Sequence, residues 1–305
     1  MDWLITGGSG FLGRWVLSEL RDEDVVALGR RCPAGWAQGR FVEADLEDGV
    51  RLREIIGRLK PRQVLHLAGA TPPSSIERMY WANVLGTARL LEALSETRSA
   101  VRVVLVGSAA ELGPVPVGRL PVDETVECRP LPGYGLSKWA AGYLGRVAKE
   151  PVVGLSARVF NPIGPGLPPS QAFGRFARLL SEPSPDPLRL VVGDLEARRD
   201  FIDVRDVARG LVRLASLGEA GGIYHLGTGQ SRSVRDGLER LISLSGRRVE
   251  VETRAESRPM GPAESRADIR KIQSETGWKP EVSFEQSLAD LWYEVKRGAE
   301  ARQVA

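Results

Sequence analysis

The chain has 305 residues, enough for a large hydrophobic core and for one large or two unequal domains. Its 42 lysines and arginines nearly balance 39 aspartates and glutamates, and no basic block indicates nucleic-acid binding. The two cysteines, Cys32 and Cys128, have no metal-like spacing and form no disulfide framework, so we expect no metal site and a cytoplasmic protein. No apolar run is long enough to span a membrane, and the first predicted strand starts too close to Met1 for a signal peptide.

The first predicted unit is a strand, a glycine turn and a helix. An apolar run at residues 3–5 precedes three glycines spaced three apart, and apolar residues at helical spacing follow them. Such glycines allow a tight turn, close approach of a pyrophosphate and close packing of the helix on the strand. The alternative is an ordinary glycine-rich turn. We expect a dinucleotide to bind here, at Gly7, Gly10, Phe11, Leu12 and Gly13.

The residues after the second predicted strand, 24–29, bear on the choice of cofactor. An acidic residue at this position accepts the ribose 2′-hydroxyl of NAD, whereas arginine accommodates the 2′-phosphate of NADP. Arg30 and Arg31 stand here, which favours NADP(H) over NAD(H), although a solvated loop also carries arginines. Asp45, in a predicted strand at 40–46, either accepts from the adenine amino group or caps the helix that begins near Asp48.

The fourth predicted strand, 63–70, contains His66, which we expect to be a core histidine because no carboxylate or second histidine is near in sequence. The small residues at its end suit backbone that passes close to a cofactor. A helix at 76–95 carries Asn83, and asparagine inside a helix suggests a polar task. The expected cofactor contacts in this part of the chain are Leu46, Leu67, Ala68, Gly69 and Asn83.

The fifth predicted strand, 101–106, is followed by Ser108. Ligands collect at the carboxyl ends of strands in open α/β sheets, so Ser108 is well placed for chemistry. Tyr134 and Lys138 lie four residues apart, on one face of a helix that ends near residue 149. The alternative for this pair is a surface position on the helix.

Helical and strand-like runs alternate to the end of the chain, which predicts an α/β fold. We expect His225, inside an apolar run, to be a second core histidine. The later predicted strands are 152–160, 189–192, 223–229 and 248–252. The later predicted helices are one to which the run 193–207 leads and which ends near residue 217, and those at 233–244, 266–275 and 284–299.

Together, Gly7-x-x-Gly10-x-x-Gly13, Asn83, Ser108 and Tyr134-x-x-x-Lys138 resemble the extended short-chain dehydrogenase/reductase family of sugar-nucleotide epimerases, dehydratases and reductases. The resemblance runs from residue 1 to about 298, and segments 158–166, 199–204 and 277–280 also match. Segment 192–201 is most similar to the GDP-4-keto-6-deoxy-D-mannose reductases within that family.

This resemblance implies a Rossmann-type doubly wound parallel sheet with a smaller C-terminal α/β substrate domain. Residues 1–160 and 200–225 would bind the dinucleotide, and residues 161–199 and 226–305 would bind the sugar nucleotide. The helices at 76–95 and 135–149 would pair across a two-fold axis in a homodimer.

The resemblance also assigns roles to single residues. Tyr134 would be the acid/base, Lys138 would lower the pKa of Tyr134 and hold the nicotinamide ribose, and Ser108 would bind the reacting hydroxyl or carbonyl. A free phenol has a pKa of about 10, so positive charge nearby would bring it towards neutrality. The residues expected to contact the nucleotide diphosphate or its sugar are Asn161, Arg199 and Arg258.

Two departures from the family pattern narrow the prediction. Family dehydratases carry an Asp-Glu pair where this chain has Ala109 and Ala110, which cannot move a proton, so a dehydratase is disfavoured. Leu112 replaces the family tyrosine before Gly113, which puts in doubt any substrate packing that depends on that ring.

We therefore expect NADPH-dependent reduction of a GDP-linked 4-keto-6-deoxyhexose at C4, as in deoxysugar biosynthesis. A 4-epimerase with retained NAD is the first alternative. A non-catalytic nucleotide sensor on the same fold is the second, although a sensor needs no Tyr-Lys-Ser set.

Overall fold

The computed structural model describes residues 1–253 and 263–304. The strands in this part of the chain are β1 Trp3–Thr6, β2 Val25–Gly29, β3 Phe41–Glu43, β4 Gln63–His66, β5 Val101–Ser108, β6 Val152–Val159, β7 Asn161–Ile163, β8 Leu188–Val192, β9 Arg198–Arg199, β10 Phe201–Asp203, β11 Ile223–Leu226, β12 Arg232–Ser233 and β13 Val249–Thr253.

Several of the helices in the same residues begin at side-chain caps. Asp48, Ser75, Asp203 and Ser233 each accept a hydrogen bond from a first-turn backbone N–H, which satisfies one donor that the helix leaves unpaired. The helices are α1 Phe11–Glu19, α2 Gly49–Leu59, α3 Ile76–Tyr80, α4 Gly86–Glu96, α5 Tyr134–Arg146, α6 Ala172–Ser181, α7 Val204–Leu217, α8 Val234–Ser245, α9 Arg270–Thr276 and α10 Phe284–Val304.

Seven parallel strands of the described residues form one sheet in the order β11-β6-β5-β4-β1-β2-β3. Strand β1 lies inside the sheet and pairs with β2 through Trp3 and Val25, and with β4 through Trp3 and Gln63. The chain therefore builds one half of the sheet outward from β1 and then returns to build the other half. This reversal opens a crevice above the carboxyl ends of β1 and β4, where open α/β sheets bind ligands. The predicted doubly wound parallel sheet is confirmed.

The sheet is covered on both faces because alternate side chains point to opposite sides. Ile5 and Leu65 belong to a core with α1 and α7, whereas Leu4 and Val64 belong to a core with α2 and α4. A third apolar cluster lies among α6, β8, α8 and α10. Within the described residues, no helix combines the length and the apolar character needed to cross a bilayer.

Several predicted elements differ in their bounds from the observed ones, among them the strands predicted at 40–46 and 63–70, which end at Glu43 and His66. Long-range hydrogen bonds explain two further differences. The helix expected from residue 266 begins at Arg270, because residues 266–268 run extended and exchange backbone hydrogen bonds with Val122. The strand expected to reach residue 229 ends at Leu226, because the carboxylate of Asp200 takes the backbone amides of Thr228 and Gly229. The helix expected at 76–95 contains a π-helical turn at Trp81–Leu85.

Candidate active site

A cavity of about 390 Å³ lies at the crevice above β1 and β4. Nine of the residues predicted to contact a cofactor line it: Gly7, Gly10, Arg30, Arg31, Asp45, Leu46, Leu67, Ala68 and Gly69. The topological reversal thus brings together residues from the ends of four strands that are far apart in the sequence.

The glycine turn is built so tightly that side chains are excluded. Gly7 has a φ of 75°, and a Cβ there would lie 2.6 Å from the nitrogen of Ala68. A Cβ at Gly13 would lie 2.2 Å from the carbonyl oxygen of Gly7. The helix α1 therefore starts directly beside β1, and the backbone amides of its first turn have no partner within the helix. This turn fits the pyrophosphate of a dinucleotide, because these amides and the helix dipole both favour an anion.

Phe11 and Leu12 can contact an anion at this turn only through their backbone amides. The ring of Phe11 packs against the third apolar cluster, and the side chain of Leu12 packs against the core between the sheet and α7. Neither side chain lines the cavity, so only the amides of these two residues are left for an anion.

Charged residues border the other end of the cavity. Arg30 and Arg31 are exposed at the end of β2, and the ion pair of Glu47 with Arg78 also lines the cavity. Sequence reasoning missed this pair because its members are 31 residues apart and no local pattern links them. Of the two alternatives for Asp45, the helix cap is wrong. Asp48 caps α2 by accepting from the nitrogen of Arg51 at 3.0 Å.

Asn83 supports the cavity wall from behind. It is 1% exposed; its Oδ1 accepts from the Ala70 nitrogen at 2.7 Å, and its Nδ2 donates to the Ala70 oxygen and to Ser137 Oγ. The extra residue of the π-helical turn lies at this side chain, and such turns are frequent at functional sites. Asn83 thus ties the residues after β4 to α5, and its expected contact with cofactor stays a prediction.

The structure brings together the three predicted catalytic residues. Ser108 is the last residue of β5, Tyr134 is the first residue of α5, and the Ser108 side chain lies close enough to the phenol to lower its pKa. Lys138, one helical turn further, is 9% exposed, and a Cβ at Gly69 would lie 3.8 Å from its Nζ. The ammonium group thus lies beside the backbone that borders the cavity.

Burial governs the protonation of these groups. It raises the pKa of Tyr134, and the nearby Ser108 side chain lowers that pKa only partly. Burial also lowers the pKa of Lys138, although the carboxylate of Glu111 opposes the shift. Without cofactor the pKa of Tyr134 is thus raised by burial, and the expected lowering by Lys138 together with an oxidised nicotinamide stays a prediction.

Glu111 is a second residue that sequence reasoning missed. Its side chain is 2% exposed, and it pairs with Arg158 at 3.0 Å. One signal was present in the sequence, because a glutamate three residues after Ser108 fits a capping box, in which both side chains bond the backbone of a helical turn.

The residues predicted to bind substrate are only partly described. Asn161 lies two residues beyond Val159, the register partner of Ser108, and its Nδ2 donates to the Asp200 oxygen at 3.1 Å. Arg199 is half-buried in β9, where burial lowers its pKa and its Nη1 donates to the Arg198 oxygen at 2.8 Å. Arg258 lies outside the described residues.

Both histidines are core residues, as predicted. His66 hydrogen bonds to Thr6 at 2.7 Å and to Thr87 at 3.0 Å, and burial lowers its pKa to about 3. His225 contacts Arg158 through Nε2 and the Val122 oxygen through Nδ1; burial, followed by the Arg158 charge, lowers its pKa to about 3.

Comparisons with known proteins agree with this geometry. The GDP-6-deoxy-D-mannose reductase of Pseudomonas aeruginosa is 35% identical over 241 residues, which cover 75% of this chain and 78% of that protein. The dTDP-6-deoxy-L-talose 4-dehydrogenase (NAD(P)(+)) of Kitasatospora kifunensis is 30% identical over 298 residues, 94% of this chain and 93% of that protein. Other relatives, at 26% to 28% identity, are named as 4-epimerases and 4,6-dehydratases.

Solved structures give the same result. The structure of RMD from Pseudomonas aeruginosa complexed with NADPH matches with a TM-score of 0.84 and 29% identity, covering 98% of this chain and all of that chain. MoeE5 in complex with UDP-glucuronic acid and NAD matches with a TM-score of 0.84 and 28% identity, over the same shares. Residues 3–227 match the family model described as "NAD dependent epimerase/dehydratase family". The chain therefore belongs to this family, the extended short-chain dehydrogenase/reductases, and is an NAD(P)-dependent enzyme.

Proposed function

We propose that this enzyme reduces the 4-keto group of a nucleotide-linked 4-keto-6-deoxyhexose with NADPH, and that the nucleotide is GDP. The observation that carries the proposal is that Ser108 approaches the Tyr134 phenol, while the Lys138 ammonium on the same helix as Tyr134 lies beside Gly69, which lines the cavity that the glycine turn also borders. The similarity to the GDP-6-deoxy-D-mannose reductase of Pseudomonas aeruginosa supports the choice of substrate.

In the proposed reaction, Tyr134 donates its phenolic proton to the carbonyl oxygen at C4. A raised pKa suits this task, because the phenol is then fully protonated at neutral pH. Ser108 donates a hydrogen bond to the same oxygen and stabilises the charge that develops on it. Lys138 holds the nicotinamide ribose and supplies positive charge near the phenol. The bound NADPH supplies the hydride that adds to C4, so one hydride and one proton convert the ketone to an alcohol.

Two observations support NADPH as the cofactor. Arg30 and Arg31 border the cavity where a 2′-phosphate would lie, and guanidinium groups bind phosphate through charge-assisted hydrogen bonds. The similar RMD structure is a complex with NADPH. Because MoeE5 is a complex with NAD, the cofactor preference belongs to the proposal.

The test is an assay of NADPH and NADH oxidation with a panel of 4-keto sugar nucleotides that differ in base. We expect absorbance of the nicotinamide band to fall in proportion to added GDP-4-keto-6-deoxymannose, faster with NADPH than with NADH. Unchanged absorbance with every 4-keto substrate would overturn the reductase proposal.

The same assay separates the alternatives. A 4-epimerase, favoured by the relatives named as epimerases, would convert sugar nucleotides without net consumption of cofactor. A nucleotide sensor would bind cofactor, and the variant Tyr134→Phe would keep both its cofactor affinity and every activity measured for the wild type. The arginine pair favours net reduction, since a cofactor that stays bound through the cycle does not need the 2′-phosphate.

The proposal extends to organisation and assembly. We assign cofactor binding to residues 1–160 and 200–225, and sugar-nucleotide binding to residues 161–199 and 226–305, where the third apolar cluster gives most of the second unit a core of its own. We also propose a cytoplasmic homodimer that pairs the α3–α4 and α5 faces. Large apolar side chains are exposed on these helices and just beyond them, at Ile76, Trp81, Leu85, Tyr143 and Val147. Light scattering should give twice the chain mass, and a monomeric mass at micromolar concentration would contradict the dimer.

A further inference from the structure

Below Ser108 and Tyr134 lies a buried ion pair that the proposed reaction does not use directly. Glu111 and Arg158 are 2% and 3% exposed, and Glu111 Oε2 lies 3.0 Å from Arg158 Nε. Two ions buried this deeply carry a large desolvation cost, and replacing such a pair with apolar residues is often neutral or stabilising. A role in the candidate active site would explain why Glu111 and Arg158 are buried as ions, which a contribution to stability alone does not.

The pair is connected to the site through backbone. Glu111 Oε1 accepts from the Ser108 nitrogen at 2.8 Å, and the Ala110 nitrogen donates to Ser108 Oγ at 3.2 Å. Gly107 leaves the space for this carboxylate, since a Cβ there would lie 2.1 Å from Oε1. The turn at Ala109–Glu111 therefore fixes both the backbone and the hydroxyl of Ser108.

The same turn also packs against the helix that carries Tyr134 and Lys138. A Cβ at Gly135 would lie 2.4 Å from the Ala110 oxygen, so α5 approaches the turn at backbone distance. One turn beyond Lys138, a Cβ at Gly142 would lie 3.9 Å from Glu111 Oε2. Glu111 thus touches the end of β5 directly and lies against α5 at Gly142.

We propose that Glu111 is a positioning residue: clamped by Arg158, its carboxylate fixes Ser108 and places one negative charge beneath Tyr134 and Lys138. The inference rests on the proposed roles of Ser108, Tyr134 and Lys138, but not on the identity of the sugar nucleotide. Arg158 is held in turn by Cys128, to whose Sγ its Nη2 donates at 2.9 Å, and by His225.

The charge of Glu111 acts on a defined set of groups. It raises the pKa of Tyr134 and opposes the lowering of the Lys138 pKa by burial. The other titratable or charged groups around it are Arg158, Cys128 and His225, with His66 beside Lys138 and Arg146 near Cys128. Removing the charge should therefore make both Tyr134 and Lys138 lose their protons at lower pH, whereas a purely structural brace would leave their titration unchanged.

The test uses Glu111→Gln, which keeps an oxygen to accept from the Ser108 nitrogen but removes the charge. Carbon-13 at the tyrosine Cζ reports ionisation by NMR, with Tyr134→Phe to assign the resonance, in the NADP⁺ complex and without any sugar substrate. We expect the Tyr134 titration to move to lower pH, and the alkaline limb of the rate profile to move with it. Because the NMR readout needs no turnover, failure of this inference is distinguishable from failure of the proposed reaction.

Two further variants complete the test. Glu111→Gln/Arg158→Met removes both charges and leaves neither without a partner, so it replaces the single variant if that variant does not fold. Tyr134 should also titrate at lower pH in this double variant. Glu111→Ala removes the brace and should lower kcat by up to about a hundredfold, as a misplaced catalytic group does. Glu127→Gln, at a carboxylate 77% exposed, is the matched control and should change neither readout. An unshifted Tyr134 titration in the folded variants, or wild-type kcat in Glu111→Ala, would overturn the inference.

Discussion

Tyr134 begins the proposed reaction as a neutral phenol, because burial holds its pKa above the usual value. Tyr134→Phe removes the proton donor but keeps the ring that packs at the start of α5. We expect kcat to fall about 10²- to 10⁴-fold, the usual contribution of a general acid, with little change in NADPH affinity. Stopped-flow kinetics and fluorescence titration measure the two quantities. Tyr293→Phe, at a side chain 54% exposed in α10, is the control, and wild-type kcat in Tyr134→Phe would contradict the assignment.

Cofactor preference is also decided by single residues. In the double variant Arg30→Ser/Arg31→Ser, the KM for NADPH should rise about 10- to 100-fold, because hydrogen bonds to a charged phosphate contribute about 1.5–3 kcal/mol. The KM for NADH should stay near its wild-type value. Arg62→Ser, at a side chain 81% exposed and paired with Asp2 at the amino edge of the sheet, is the matched control. Equal changes in both KM values would show that the arginines do not bind the 2′-phosphate.

At the scale of elements, the contact between β1 and α1 is the feature most sensitive to one added carbon. Gly13→Ala would place a Cβ 2.2 Å from the Gly7 oxygen and 2.6 Å from the Gly8 Cα, and these are backbone atoms that cannot rotate away. We expect α1 to move from β1, with loss of most NADPH affinity and a lower Tm. Gly57→Ala, in α2, meets no atom within 4 Å and should stabilise the protein by about 0.5–1 kcal/mol. Calorimetry with and without NADPH gives the Tm and the NADPH affinity of both variants. Wild-type NADPH affinity in Gly13→Ala would contradict the close contact between β1 and α1.

The elements that sequence alone predicted are those whose causes are local. Hydrophobic periodicity located β1, α1, β4 and β5, and the glycine spacing identified the turn between β1 and α1. What sequence missed depends on partners far along the chain. The extended residues 266–268 follow from hydrogen bonds to Val122, and the buried charge of Glu111 follows from Arg158, 47 residues away. The π-helical turn at Asn83 likewise joins α5 to the end of β4, a contact that no helical pattern predicts.

For the whole molecule, the two buried histidines predict how stability depends on pH. Both have a pKa lowered from 6.5 to about 3, so the unfolded chain binds protons that the folded chain does not. Each histidine therefore contributes stability that is complete above pH 6.5 and is lost as pH falls towards 3. By pH 5 the loss is about 2 kcal/mol for each histidine.

His225→Gln tests this prediction because glutamine can still donate to Val122 and accept from Arg158, but it does not titrate. Urea unfolding at pH 7.5 and pH 5 gives the free energy of unfolding of both proteins. We expect the difference between wild type and variant to move by about 2 kcal/mol in favour of the variant at the lower pH. A difference that does not change with pH would mean that His225 is protonated in the folded state.

The reaction itself is tested most directly by following the hydride. NADPH that carries deuterium at nicotinamide C4, on the face that is transferred, would be incubated with GDP-4-keto-6-deoxymannose, and the product would be analysed by NMR. Our account predicts one deuterium at C4 of the sugar for each NADPH oxidised, with the new hydroxyl on that carbon. Product that contains no deuterium at C4, or conversion of sugar nucleotide without NADPH oxidation, would contradict it.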